Sequence, residues 1–235
     1  MMRDYVKING TSSLTITGLA ISKLPAITKP LVRTQIEEID GKDGDIITKL
    51  GYSAYDKELE IGLYGNFNID NVIKFFNSSG KIIFSNEDDK YYNFEILEQI
   101  DFEKLLKFKT AAVNIHVQPF KYPVNETAVS LSVGNNTITN NGNVYSKPTL
   151  KIKGTGTIGV SLGGTQIFSI DLGETETEIV IDTTNMEAYN LATTDLMNRQ
   201  VTGDYSLFKL AVGNNTIALS GTITTASISG YTRWL

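Results

Sequence analysis

After residue 128 this chain stops offering helices. The segments TLKIK, IGVSL, QIFSID, TEIVID, YSLFKL and GTITTASIS follow one another, each short and β-branched, with Gly, Asn or Thr between them. β-Branched side chains lose χ1 freedom in a helix and pack well on a pleated surface. Strands of this length at this spacing predict an antiparallel β-sandwich. Only TTDLMNRQV (193–201) has room for a helical turn.

The same region repeats a hexapeptide. VGNNTI stands at 133–138 and again at 212–217. Asn-Asn after Gly tolerates positive φ, so GNN predicts a tight turn, and TI opens the next strand. Two such elements read as two hairpin corners of one sandwich, or as turn chemistry used twice by chance. The residues between the copies do not repeat, which argues against a tandem array.

The first part of the chain mixes strands with one helix. YVKIN (5–9), LTIT (14–17), LEIGLYG (59–65), KIIFS (81–85) and YYNFEIL (91–97) read as strands. In AAVNIHVQPF, Val113, Ile115 and Val117 point one way while Asn114, His116 and Gln118 point the other. Asp70 is placed to cap a helix over 71–79 whose apolar face is Val72, Ile73, Phe75 and Phe76, with Gly80 as the left-handed residue that ends it. The segment 20–57 carries few core signals. The stretch EIDGKDGDIITKL within it is expected to be an arm that orders on assembly.

Charge density marks the division. Residues 1–127 hold 15 Lys+Arg and 18 Asp+Glu, whereas 128–235 hold 6 and 8. The shift follows Pro119 and Pro123, so two domains are expected, 1–127 and 128–235. Neither half is basic, which speaks against broad electrostatic binding of nucleic acid. No run of about 18 apolar residues is present, so no membrane helix is expected. The opening MMRDYVKING turns polar at once, which reads as no secretory signal, and the chain has no cysteine. Both features fit assembly in the cytosol of the producing cell.

Chemical motifs are sparse. GTGTIG (154–159) matches a dinucleotide fingerprint, but VSLGGTQIFSI follows where a helix would have to start, so it reads as a hairpin turn. Asp40, Asp43 and Asp45 cluster in DGKDGD, yet position 51, where a calcium loop would carry Glu, is Gly. That stretch, like NEDDK (86–90), reads as a solvated turn. His116 is the sole histidine and sits among polar residues on an alternating strand. With no Cys and one His, triad and zinc chemistry have little to work with. No catalytic, cofactor-binding or metal residue is assigned, no cofactor is expected, and the reading is a non-enzymatic structural or binding protein.

Four segments carry a resemblance to a known family. They are VRTQIEEIDGKDGD (32–45); IIFSNEDDKYYNFEILEQIDFEKLLKFKTAAVNIHVQPFKY (82–122), with its paired Tyr and its Pro-Phe-x-Tyr end; NNGNVYSKPTLKIKGTG (140–156); and VIDTTNMEAYN (180–190) followed by GDYSLFKLAVGNNTIALSG (203–221) and a terminal RWL. Together they resemble the distal tail (Dit) proteins of long-tailed phages, a baseplate hub component. The resemblance implies an N-terminal β-rich domain with one α-helix that forms a hexameric ring, plus a C-terminal galectin-like antiparallel β-sandwich. It also implies partners: five further copies of the chain in a homo-hexamer, the tail tube protein, a tail-tip protein of the tail-associated lysin type, and receptor-binding proteins that attach to the host. DNA would pass through the ring without specific binding, and the protein would sit at the tail tip of the virion. The alternative reading is a carbohydrate-binding module for adhesion to a host surface, built on the C-terminal sandwich.

Overall fold

The computed structural model describes residues 3–235. The fold is mostly β and antiparallel, as expected, and the chain divides into two compact units, one ending at Val124 and the other Asn125–Trp234.

The first unit is built on seven strands: β1 (Val6–Ile8), β2 (Thr11–Ser12), β3 (Leu19–Lys23), β6 (Tyr55–Leu63), β7 (Ser79–Phe84), β8 (Lys90–Glu95) and β9 (Thr110–Pro123). They form one sheet in the order β2-β1-β7-β8-β9-β6-β3. Its inner face follows from period-two alternation: Leu59, Ile61 and Leu63 on β6, and Val113, Ile115 and Val117 on β9, are all buried. The remaining pair, β4 (Val32–Glu37) and β5 (Ile46–Tyr52), forms a separate two-stranded hairpin.

Helix α1 spans Ile69–Phe76 and packs Val72, Phe75 and Phe76 into the core. It starts two residues before the expected position. Asn68, not Asp70, is the cap: its side chain accepts from the N–H groups of Asp70 and Asn71 while its own backbone is extended. Asp70 instead lies in the first turn, where its charge suits the helix dipole. Gly80 does not end the helix. It lies in β7, where the Asn9 side chain crosses over it, donating to Ser79 O and accepting from Lys81 N.

A second helix, α2 (Phe102–Phe108), corrects the expectation of a single one. Asp101 Oδ1 caps it by accepting from Lys104 N at 2.8 Å, and Lys109 closes it in the left-handed region at φ 63°. Seven residues with only Leu105 buried give too little periodicity to stand out from the strands on either side. LTIT is also not a strand. Ser12 caps a 3-10 turn over Ser13–Thr15, and the Ser13 hydroxyl accepts from Val6 N.

The second unit holds β10 (Val129–Leu131), β11 (Gly134–Asn140), β12 (Thr149–Leu162), β13 (Thr165–Asp171), β14 (Thr177–Asp182), β15 (Glu187–Tyr189), β16 (Val201–Gly203) and β17 (Gly213–Ser229). Two long strands organise it. The first half of β12 pairs β14 and its second half pairs β13, while β17 pairs β12 along most of its length. The β12–β17 register breaks between Lys153 and Gly154 and between Thr155 and Gly159. There the sheet curls, so that Leu150 and Ile152 before the break share one core with Ile158 and Val160 after it. YSLFKL is a 3-10 turn over Tyr205–Leu207, not a strand, because Asp204 caps it by accepting from Ser206 N. A 3-10 turn at Asn198–Gln200 fills the expected helical slot.

The hexapeptide copies pair with each other. Thr137 lies opposite Thr216, Asn136 opposite Ile217, and Ile138 opposite Asn215, so equivalent residues are related by a local two-fold. Each copy makes the same local bonds. Asn136 accepts from Ser132 N and donates to Ser132 O and Gly134 O; Asn215 accepts from Ala211 N and donates to Ala211 O and Gly213 O. The glycines alone take positive φ, 96° at Gly134 and 89° at Gly213, so the bend precedes the strand and the Asn pair belongs to the strand.

Candidate functional site

The hairpin β4–β5 is the surface feature that the core does not explain. Its strands pair through six partners from Val32–Tyr52 to Glu37–Ile46, with a bulge between Arg33 and Thr34. Around its tip Gly41 and Gly44 both take φ 79°, and Lys42 N donates to Ile39 O at 3.1 Å. None of its residues belongs to either core cluster. Ile36 and Ile47 lie directly opposite each other, yet are 58% and 60% exposed. Leu31, Ile39 and Leu50, in or next to the same hairpin, are exposed as well. A two-stranded ribbon is marginal alone in water, and a run of exposed large aliphatic side chains marks an interaction surface.

The sequence candidates are scattered. Asp40, Asp43 and Asp45 lie exposed at the hairpin tip. Among the described residues no three His, Asp or Glu side chains gather as a metal site. His116 sits on the outer face of β9, its Nδ1 2.7 Å from Asp56 Oδ1 on β6, with Glu95 of β8 opposite it in register. The GTGTIG glycines lie inside β12 at the curl. A side chain at Gly154 would meet Thr222 O, and one at Gly159 would sit 2.5 Å from Ser220 Oγ. Close strand crossing requires Gly154 and Gly159, Gly156 instead takes a positive φ of 68°, and no helix follows them. No helix among the described residues is long and apolar enough to cross a membrane.

Sequence reading missed a buried polar cluster in the first unit. Glu87, expected in a solvated loop, turns inward. Its Oε1 accepts from Lys121 Nζ at 2.8 Å and its Oε2 from the Tyr92 hydroxyl at 2.8 Å. Lys57 Nζ lies 5.1 Å from the Tyr92 ring centroid and donates to Ala26 O at 2.7 Å. Burial holds the Lys57 ammonium down to about 8, against the raising field of Glu87 and with a smaller lowering push from Lys121. Burial pushes the Tyr55 and Tyr92 hydroxyls up. A signal existed: Lys57 stands in phase with Leu59 and Ile61, and Lys121 in phase with Val113, Ile115 and Val117.

No protein-family profile matches the chain, and no curated protein matches it by sequence. Solved structures do. The Dit protein (gp 19.1) of phage SPP1, described as a paradigm of the hub adsorption apparatus in phages that infect Gram-positive hosts, superposes with a TM-score of 0.66 at 14% identity over 100% of both chains. A chain of the phage P2 baseplate in its activated conformation with calcium gives 0.51 at 11% identity over 97% of each chain. The same baseplate activated with strontium gives 0.52 at 11% over 96%. The resemblance to distal tail proteins therefore holds at the level of the whole fold.

Proposed function

We propose that this chain is a structural distal tail protein, a baseplate hub component of a long-tailed phage or phage-like particle, and that it works by assembly rather than by chemistry. Six copies close into a ring that joins the tail tube to the tail-tip protein and, through it, to the receptor-binding apparatus. The observation that carries this reading is end-to-end agreement with SPP1 Dit, in which neither chain has a domain the other lacks.

The residues give the reading a physical basis. Residues 1–127 are the ring-forming domain and 128–235 a galectin-like sandwich. A ring needs a heterologous interface whose rotation closes. The exposed aliphatic stripe of β4–β5 supplies one side of it, burying Ile36, Ile47 and Leu50 against a neighbouring copy. A net charge of −5 suits a conduit that DNA traverses without sticking. Negative-stain imaging with native mass spectrometry, on the protein alone and with its tube and tip partners, is the test. Six-fold annuli with an open centre are expected. A chain that stays monomeric with both partners, or is missing from purified particles, removes the proposal.

A further inference from the structure

The cluster around Lys57 lies behind the root of the hairpin, and its charges do not balance. Lys57 is 4% exposed and Lys121 5%. Both oxygens of Glu87 are already engaged, one by Lys121 and the other by Tyr92. Among the described residues no carboxylate lies within ion-pair distance of Lys57. What faces its ammonium is the Tyr55 ring on its own strand, Phe84 on β7, Tyr92 on β8, Lys121 on β9, and Glu87 from the turn before β8. Aromatic faces and one backbone carbonyl compensate a buried charge only in part.

That carbonyl belongs to the segment 24–31, which links β3 to the hairpin. The segment joins no ladder. It is fastened from below by donors to its carbonyls: Lys57 Nζ to Ala26 O, Asn86 Nδ2 to Pro25 O at 3.1 Å, the Tyr55 hydroxyl to Thr28 O at 3.4 Å, and Ser53 N to Leu31 O at 2.9 Å. Pro25 and Pro30 are buried, whereas Ala26, Ile27, Thr28 and Lys29 are exposed. A strip held by a few point contacts opens at lower cost than a paired strand.

We propose that segment 24–31 is a proton-linked cover: it closes firmly over Lys57 when that side chain is neutral and lifts readily when it is charged, so protonation loosens the anchorage of the hairpin.

The sign follows from linkage. Lifting the segment hydrates the ammonium and restores its ordinary proton affinity, so the open form binds the proton more tightly than the closed form. Closure therefore strengthens as pH rises from about 8 towards the ordinary lysine value of 10.5. Burial raises the Tyr55 and Tyr92 hydroxyls, so both hold their protons to higher pH than free tyrosines while the segment is closed. The neutral amine still donates to Ala26 O. The proposal does not depend on what the chain assembles with.

The test is cleavage within 24–31 by a broad-specificity protease, mapped by mass spectrometry, in the wild type and in Lys57→Met at pH 7 and pH 9.5. The ratio of the two chains at each pH cancels the pH dependence of the protease. That ratio is expected to fall about 25-fold between pH 7 and pH 9.5. A ratio that does not change with pH overturns the proposal. A titration of the wild-type lysine side chains by NMR decides the matter even if the variant does not fold. Lys57 is expected to titrate below the other lysines, and lower still in Glu87→Gln. A Lys57 midpoint among the exposed lysines overturns it.

Discussion

Two antiparallel ladders of similar length meet opposite fates in this molecule. The β11–β17 ladder joins seven residue pairs, places Ile138 and Ile217 in the core, and locks each strand start with a buried or half-buried Asn. The β4–β5 ladder joins six pairs and leaves Ile36 and Ile47 in solvent. Backbone hydrogen bonds are equally available to both. The difference lies in the covered face, so the first ladder is fixed by burial and the second invites a partner.

The largest effect is expected where burial is deepest. Phe168→Ala empties a fully buried site in the second unit and is expected to cost about 3–5 kcal/mol, read as a loss in denaturant midpoint. A loss below about 1 kcal/mol would mean that the curled sheet does not depend on its core. Asn136→Ala and Asn215→Ala come next. Each leaves a carbonyl and an N–H without the side chain that met both, and each is expected to cost about 1–2 kcal/mol. Because the copies make the same local bonds, the two losses should agree within about 1 kcal/mol. Unequal effects by more than about 1 kcal/mol would show that the local two-fold is one of geometry without energetic consequence. Smallest is the double change Ile36→Ser with Ile47→Ser. Its effect on the stability of the isolated chain is expected within about 0.5 kcal/mol, because both side chains are already hydrated. The same variant should lose the proposed ring in native mass spectrometry. Normal assembly would assign the ring contact to another surface.

Much of the first unit's sheet was legible because its inner face obeys strict alternation, as β9 shows from Ala111 to Val117. The cluster was half legible. The phase of Lys57 and Lys121 put both on the inner face, but nothing local says that Glu87 bends in to meet one of them and that Ala26 meets the other. Helix α2 escaped because a short helix between strands carries its signal in caps, Asp101 and Lys109, more than in period. The candidate surface was legible only as a lack: few core signals over 20–57, which the hairpin turns into exposed aliphatic side chains.

Sequence alone determined that this chain is mostly β and that β9 alternates, since alternation and β-branching are properties of neighbours along the chain. Tertiary structure decided that the two VGNNTI copies pair with each other, that β12 and β17 curl around one core, and that a lysine charge is closed in behind the hairpin root. Those outcomes join residues up to 81 positions apart, and only the folded chain sets which distant surfaces exclude water together.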